Sequence, residues 1–212
     1  MQNVSTLIFD LDGTISDPSM GVHRCMNHAL RFYGFPEVSE QTAFATIGPP
    51  LDEAFSQFQP NANEQVIANL IAKYRERYAE LGYAENQIYP GIVDALNAFA
   101  ARGIRMGVCT SKRVDFAEKI LSMFGLLDFF SFVSGGDIGI KKHQQLAGLL
   151  ESGEINRTSV MVGDREVDIS AAKANSLRSV GVLWGFGDRD ELEQAGADVI
   201  LSKTNELSLI KI

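Results

Sequence analysis

Five short apolar runs punctuate the chain: residues 4–9 (VSTLIF), 104–109 (IRMGVC), 159–163 (SVMVG), 179–184 (SVGVLW) and 197–201 (ADVIL). Each is short and largely apolar, as a strand buried on both faces must be. Amphipathic helical stretches separate the later runs, at 91–102, 112–124, 143–151, 166–174 and 188–195. Strand–helix alternation of this kind predicts an α/β fold, a parallel sheet covered by helices on both faces.

Residues 15–84 break that rhythm and offer no convincing strand. Asp17 or Ser16 is placed to cap a helix with Pro18 in its first turn. Val22, Met26, Ala29, Leu30 and Tyr33 then share one face, and Gly34 ends it. Ser39 is placed to cap a second helix reaching Ile47, and GPPL (48–51) turns into a third. Val66, Ile67, Leu70, Ile71, Tyr74 and Tyr78 predict a long fourth. The expected division is therefore an α/β core of residues 1–14 and 85–212, with an all-α module of residues 15–84 inserted after the first strand. An insertion so attached is a candidate lid.

Composition narrows the function classes. Hydrophobic residues make up 45% and charged residues 22% of 212, which is ordinary for a globular protein. The net charge of −8, with no Lys/Arg cluster, argues against a nucleic acid polymer as partner. No apolar run has the length of a membrane span, and MQNVSTLIFD has neither a basic start nor a cleavage-site pattern. A cytoplasmic protein with two reduced, buried thiols, Cys25 and Cys109, is expected.

In open α/β sheets ligands bind outside the carboxyl ends of the strands. The first run is followed by Asp10-Leu11-Asp12-Gly13-Thr14, the second by Thr110-Ser111-Lys112, and SVMVG by Asp164-Arg165-Glu166 with Asp168 beyond. If these strands are adjacent, the acids converge and repel. A hard cation resolves that repulsion, and magnesium typically takes one or two carboxylates plus substrate phosphate and water. Asp10 and Asp164 are the candidate ligands, with Asp12 contributing its backbone carbonyl and keeping its carboxyl free. The chemistry that follows is attack of the Asp10 carboxylate on phosphorus, with Asp12 as acid and then base. Thr110, with Ser111 beside it, and the backbone N–H groups around Leu11 and Asp12 are candidates to hold the phosphoryl oxygens, while a lysine neutralises their charge.

With these residues in order, the chain resembles the haloacid-dehalogenase superfamily phosphatases along essentially its whole length. FDLDGT (9–14), VCTSK (108–112) and VGDREVD (162–168) are similar to that family's first, second and fourth motifs. The resemblance implies a Rossmann-like three-layer core with a helical cap, Asp10 as nucleophile, Asp12 as acid/base, Thr110 as phosphate-binding hydroxyl, Asp164 as metal ligand and Asp168 as its support. Asp12 argues against a dehalogenase, since that branch lacks the second acid. Within the family, IGPPL (47–51), VGDREVDI (162–169) and SVGVLWGFGDRDEL (179–192) are similar to the phosphoglycolate phosphatase and 5′-nucleotidase-like branch. The implied substrate is a small phosphomonoester: phosphoglycolate, a nucleoside monophosphate or a sugar phosphate. The third motif departs from the pattern. GIKKHQQL (139–146) has two lysines and no proline. Lys142 is favoured because Leu146, Leu149 and Leu150 continue a helix face from it, and Lys141 is the alternative.

Bland readings compete at several positions. Asp168 suits a helix's first turn through the dipole alone. Arg165 reads equally as a surface residue or a link to the insertion. Asp137 after two glycines reads as turn chemistry, and Arg24, Lys73, Arg75 and Arg77 as a solvated helix face. The competing functions are a phosphomutase of the same family and a receiver-like phospho-Asp signalling protein. Receivers are far shorter and lack an acid two residues after the acceptor.

Overall fold

The structure is a computed structural model and describes residues 5–210. Val4, first in the opening apolar run, lies outside the described residues. The elements run β1 (Thr6–Phe9), β2 (Ser16–Asp17), α1 (Ser19–Phe32), α2 (Glu40–Phe44), α3 (Leu51–Phe58), α4 (Glu64–Glu80), β3 (Gln87–Ile88), α5 (Ile92–Ala101) and β4 (Arg105–Thr110). They continue with α6 (Val114–Met123), β5 (Val133–Gly135), α7 (Lys142–Glu151), β6 (Val160–Gly163), α8 (Glu166–Ala174), β7 (Arg178–Val182), α9 (Arg189–Ala195) and β8 (Val199–Leu201).

Six strands form one parallel sheet in the order β5-β4-β1-β6-β7-β8. Side chains alternate across it as the pleat requires. Leu7, Phe9, Val160 and Val162 join the core on one face, where α5 and α6 contribute Leu96, Phe99, Ile120 and Leu121. Ile8 and Met161 point to the other, against Leu146 of α7 and Ala171 and Ala172 of α8. The result is the three-layer arrangement that the alternation predicts. Burial on both faces is why these strands read as continuous apolar runs.

Strand order fixes where the site lies. From β1 the sheet grows one way through β4 and β5 and the other way through β6, β7 and β8. The crevice at such a reversal, at the carboxyl ends, is where open α/β sheets bind ligands. Phe9 pairs with Val108 and with Val162, so the residues that follow all three strands emerge side by side.

The insertion is helical with one correction. Ser16–Asp17 forms a two-residue strand antiparallel to Gln87–Ile88, so residues 15–84 are not free of strand. The chain thus enters and leaves the insertion through paired segments. Within it α1 packs on α4. Val22, Met26, Ala29 and Leu30 are buried on α1, and Leu70, Ile71, Tyr74 and Tyr78 on α4. Tyr33, expected on the buried face, is exposed instead and meets the Phe32 ring edge-on. Gly34 stops α1 with φ at +75°, and the Ser39 hydroxyl caps α2 by accepting from Thr42 N at 3.2 Å. The helix after Ser39 ends at Phe44 rather than Ile47. Asp17 does not cap α1 across a full turn; its Oδ1 accepts from Ser19 N at 2.8 Å. A sixth strand, β5, was not expected. It has three half-buried residues at the sheet edge, the last of them Gly135, and is followed by Gly136. Among the described residues no helix is long and apolar enough to cross a membrane, and both cysteines are free and buried.

Candidate active site

Asp10 follows β1 directly. Its backbone N–H continues the ladder to Val162 O at 2.9 Å, which fixes the residue at the sheet's end, and its side chain is 2% exposed. Leu11 N donates to Asp10 Oδ1 at 2.8 Å. The other carboxylate oxygen, Oδ2, lies 3.1 Å from Lys142 Nζ. Lys142 opens α7, is 1% exposed, and also pairs with Asp168 Oδ1. Burial works against its charge, but Asp10 first and Asp168 next outweigh that and hold its pKa above the ordinary lysine value. Of the two candidate lysines only Lys142 reaches Asp10. Lys141 is exposed and faces Glu53 of the insertion at 3.7 Å.

Asp164, at the tip of β6, is fully buried and held by two donors: Thr14 Oγ1 at 3.1 Å to Oδ1, and Phe186 N at 2.9 Å to Oδ2. Gly13 makes room for it. At φ +83°, a β-carbon there would lie 2.1 Å from Asp164 Oδ2. Trp184 Nε1 donates to Thr14 O at 3.0 Å, so the loop after β7 braces the loop after β1. Asp168, on the first turn of α8, is buried and accepts from Arg165 N at 3.1 Å. Burial pushes the Asp164 carboxyl well above its ordinary range, with Asp168 and then Asp10 adding to it. Asp168 is raised by burial as well, against the pull of Lys142.

Oxygen atoms of Asp10, Asp164 and Asp168 all lie within 4.8 Å of one another. Three buried carboxyl groups share the Lys142 ammonium, so keeping all three ionised calls for further positive charge. Hard oxygen donors in that number suit a divalent ion such as magnesium. The Asp12 carboxyl is not part of this cluster; it turns the other way.

Asp12 is 14% exposed at its side chain, and its Oδ2 lies 2.8 Å from Lys112 Nζ. Its Oδ1 is buried without a partner. Burial raises the Asp12 carboxyl, Lys112 opposes that, and Asp10 adds to it. A carboxyl shifted upward holds its proton nearer neutral pH, as a general acid needs. Thr110, at the tip of β4, is 1% exposed. Gln145 Nε2 fixes the Thr110 carbonyl at 3.2 Å. Asp10, Asp12, Thr110 and Ser111 line one cavity whose opposite wall comes from the insertion, including Ile47, Tyr74, Arg75 and Tyr78.

The sequence-predicted residues Asp10, Leu11, Asp12, Thr110, Ser111, Lys142, Asp164 and Asp168 therefore gather at one end of three neighbouring strands. Arg165 is not free at the surface. Its Nε pairs with Glu191 at 2.8 Å, and its guanidinium donates to the carbonyl oxygens of Ala45 and Ile47 in the insertion. Arg24 pairs with Glu85 at the surface, as a polar helix face would, but Arg77 and Lys73 are largely buried: Arg77 donates to Glu85 and to the Cys25 thiol, and Lys73 pairs with Glu76 over the Phe32 ring. Arg75 departs from that expectation as well. It lines the cavity and pairs with Asp137 at 2.6 Å, which draws Asp137 in as well. Lys112 was the residue most easily missed. Its only sequence signal was its place directly after Thr110-Ser111.

The chain is similar to several known proteins. The tyrosine-protein kinase PtkA of Mycobacterium tuberculosis is 32% identical over 200 residues, spanning 92% of this chain and 67% of that protein. A 5′-nucleotidase of Pseudomonas aeruginosa is 35% identical over 190 residues, 88% of this chain and 86% of its own. A phosphoglycolate phosphatase of Yersinia pseudotuberculosis is 30% identical over 207 residues, 94% and 89% of the two chains. The crystal structure of a predicted phosphatase from Clostridium acetobutylicum superposes with a TM-score of 0.93 at 30% identity, covering all of both chains. A family model described as haloacid dehalogenase-like hydrolase matches residues 7–182, from β1 through β7. With its acids at the ends of β1 and β6 and that match running through both, the chain belongs to the haloacid dehalogenase-like hydrolase family.

Proposed function

We propose that the chain is a magnesium-dependent phosphatase that hydrolyses a small soluble phosphomonoester through a transiently phosphorylated Asp10. The observation that carries this reading is the placement of Asp10. It is buried at the sheet's reversal point, 3.1 Å from Lys142, in a cluster with Asp164 and Asp168.

Asp10, Asp164 and the Asp12 backbone carbonyl would hold the ion, with Asp168 in support. When bound, it offsets charge on the carboxylates and on the phosphoryl oxygens. The Asp10 carboxylate attacks phosphorus, the bond to the leaving oxygen breaks, and Asp12 gives that oxygen a proton. Asp12 then takes a proton from a water molecule, whose oxygen attacks the same phosphorus and returns Asp10 as carboxylate. The Thr110 hydroxyl, Ser111 and the N–H group of Asp12 hold the phosphoryl oxygens, the Leu11 N–H joining them when it leaves Asp10 Oδ1, and Lys142 neutralises charge that builds on them.

Residues 15–84 serve as a cap domain over the core of residues 1–14 and 85–212, and their side chains set the leaving group. The names of the relatives support a nucleoside monophosphate or phosphoglycolate as substrate. The likeness to PtkA favours a second reading, in which the phosphoryl group passes to a protein tyrosine. A phosphate-release screen over a few dozen metabolites with magnesium tests the first. Turnover of at least one without a bisphosphate activator, together with an acyl phosphate trapped on Asp10 by borohydride reduction, is expected. Transfer from ATP to a tyrosine peptide without release from any monoester would favour the second.

A further inference from the structure

Three elements meet at Lys112. Its ammonium lies 2.8 Å from Asp12 Oδ2, on the loop after β1. It donates to the Tyr78 hydroxyl at 2.8 Å and sits 4.6 Å from the centre of that ring. Tyr78 belongs to α4 of the insertion, whereas Lys112 follows β4 of the core. The Lys112 side chain is 9% exposed and that of Asp12 is 14%, so water does little to loosen the pair. The two oxygens of Asp12 are treated differently. Oδ2 is engaged by Lys112, and Oδ1 is buried with no partner. A carboxylate fastened at one oxygen cannot swing freely about its terminal bond, so the other oxygen keeps a fixed direction. Tyr78 is itself held rigid, stacked on Tyr74 at 5.4 Å and edge-on to Phe116 at 5.1 Å.

We infer that Lys112 is a positioning residue: by fastening Asp12 Oδ2 it fixes the direction in which the carboxyl faces for proton transfer, and Tyr78 makes this alignment depend on the insertion being seated over the site. The inference rests on the phosphatase reading above and adds to it a link between lid and acid. Lys112 is a neighbour of the phosphate-binding hydroxyls, so the competing role is a direct phosphate contact, and the two roles leave different kinetic traces. An acid matters when the departing oxygen is a poor leaving group and matters little when it leaves unprotonated. A phosphate contact matters equally for both.

The test compares p-nitrophenyl phosphate with the best alkyl phosphate from the release screen, for wild type, K112M, K112R and Y78F with saturating magnesium. The expected result is a loss of about 100-fold in kcat for K112M on the alkyl ester and less than about tenfold on the aryl ester. KM and inhibition by inorganic phosphate should stay near the wild-type values. K112R should recover part of the alkyl activity, and Y78F should show the same selectivity at smaller size. Equal losses on both esters, or a loss carried by KM with weaker phosphate inhibition, would overturn the positioning role. Wild-type behaviour of Y78F would overturn the link to the insertion. If K112M fails to fold by circular dichroism, K112R and Y78F still carry the comparison. A wild type that releases phosphate from neither ester sinks the phosphatase reading and this inference together, whereas an active wild type with unselective variants sinks this inference alone.

Discussion

Lys142 Nζ stands 3.1 Å from Asp10 Oδ2 with both side chains shut off from water. The same ammonium is also the partner of Asp168. Among the described residues it is therefore the one side-chain cation in contact with the buried acid cluster. Lys142→Met should cost about 3–5 kcal/mol of stability, because removing one partner leaves the carboxylates uncompensated. Denaturant midpoints without magnesium measure this, and a loss below about 1 kcal/mol would mean the pairing matters little in solution. Activity should fall by at least about 100-fold.

Asp10 and Asp12 should separate in a second series. Asp10→Asn should remove at least about 10³-fold of the activity while the protein stays folded. Asp12→Ala should lose about 10²–10⁴-fold yet still form the acyl phosphate with a good leaving group. Quench-flow with a radiolabelled aryl ester reads both. Full magnesium-dependent turnover by Asp10→Asn would end the covalent scheme.

Metal binding has a readout apart from turnover. The crowding of three carboxyl groups around Asp164 predicts that magnesium raises the melting temperature, by the equivalent of about 2.7 kcal/mol at a hundred times its dissociation constant. Asp164→Asn should lose that shift, and EDTA should silence wild-type hydrolysis. A melting curve indifferent to magnesium would count against the Asp10–Asp164–Asp168 cluster as its site.

Much of this site was legible because its residues are strung directly after apolar runs. Asp10, Thr110 and Asp164 sit at strand ends, and burial on both faces made those strands easy to find. Asp168 and Lys142 follow from local pattern too, each opening a helix. What stayed hidden depended on distance in sequence. Nothing near Arg75 signals that Asp137, 62 residues on, will pair with it. Lys112 looked like the tail of a motif until Tyr78 and Asp12 were brought to it. The β5 strand escaped because three half-buried residues, Val-Ser-Gly with a further glycine after them, lack the apolar alternation that marks a strand. Ser16–Asp17 is a strand only through its pairing with Gln87–Ile88, which no local reading can supply.

Arg165 offers a test of how the insertion is held. Its guanidinium, fastened to Glu191, donates to backbone oxygens of Ala45 and Ile47 rather than to side chains. Arg165→Ala should lower stability by about 1–3 kcal/mol. It should also speed hydrogen exchange across residues 43–51 more than across β1 and β4. Uniform exchange would show that the contact does not hold the loop.

The paired segments Ser16–Asp17 and Gln87–Ile88 place the two crossing points of the chain side by side. Lengthening, shortening or replacing everything between them joins ends that are already neighbours, so the loop-closure cost changes little. The hydrogen-bond register of the six-stranded sheet takes no part in such an exchange. The intervening helices can therefore be traded for others while Asp10, Asp12 and Asp164 keep their places.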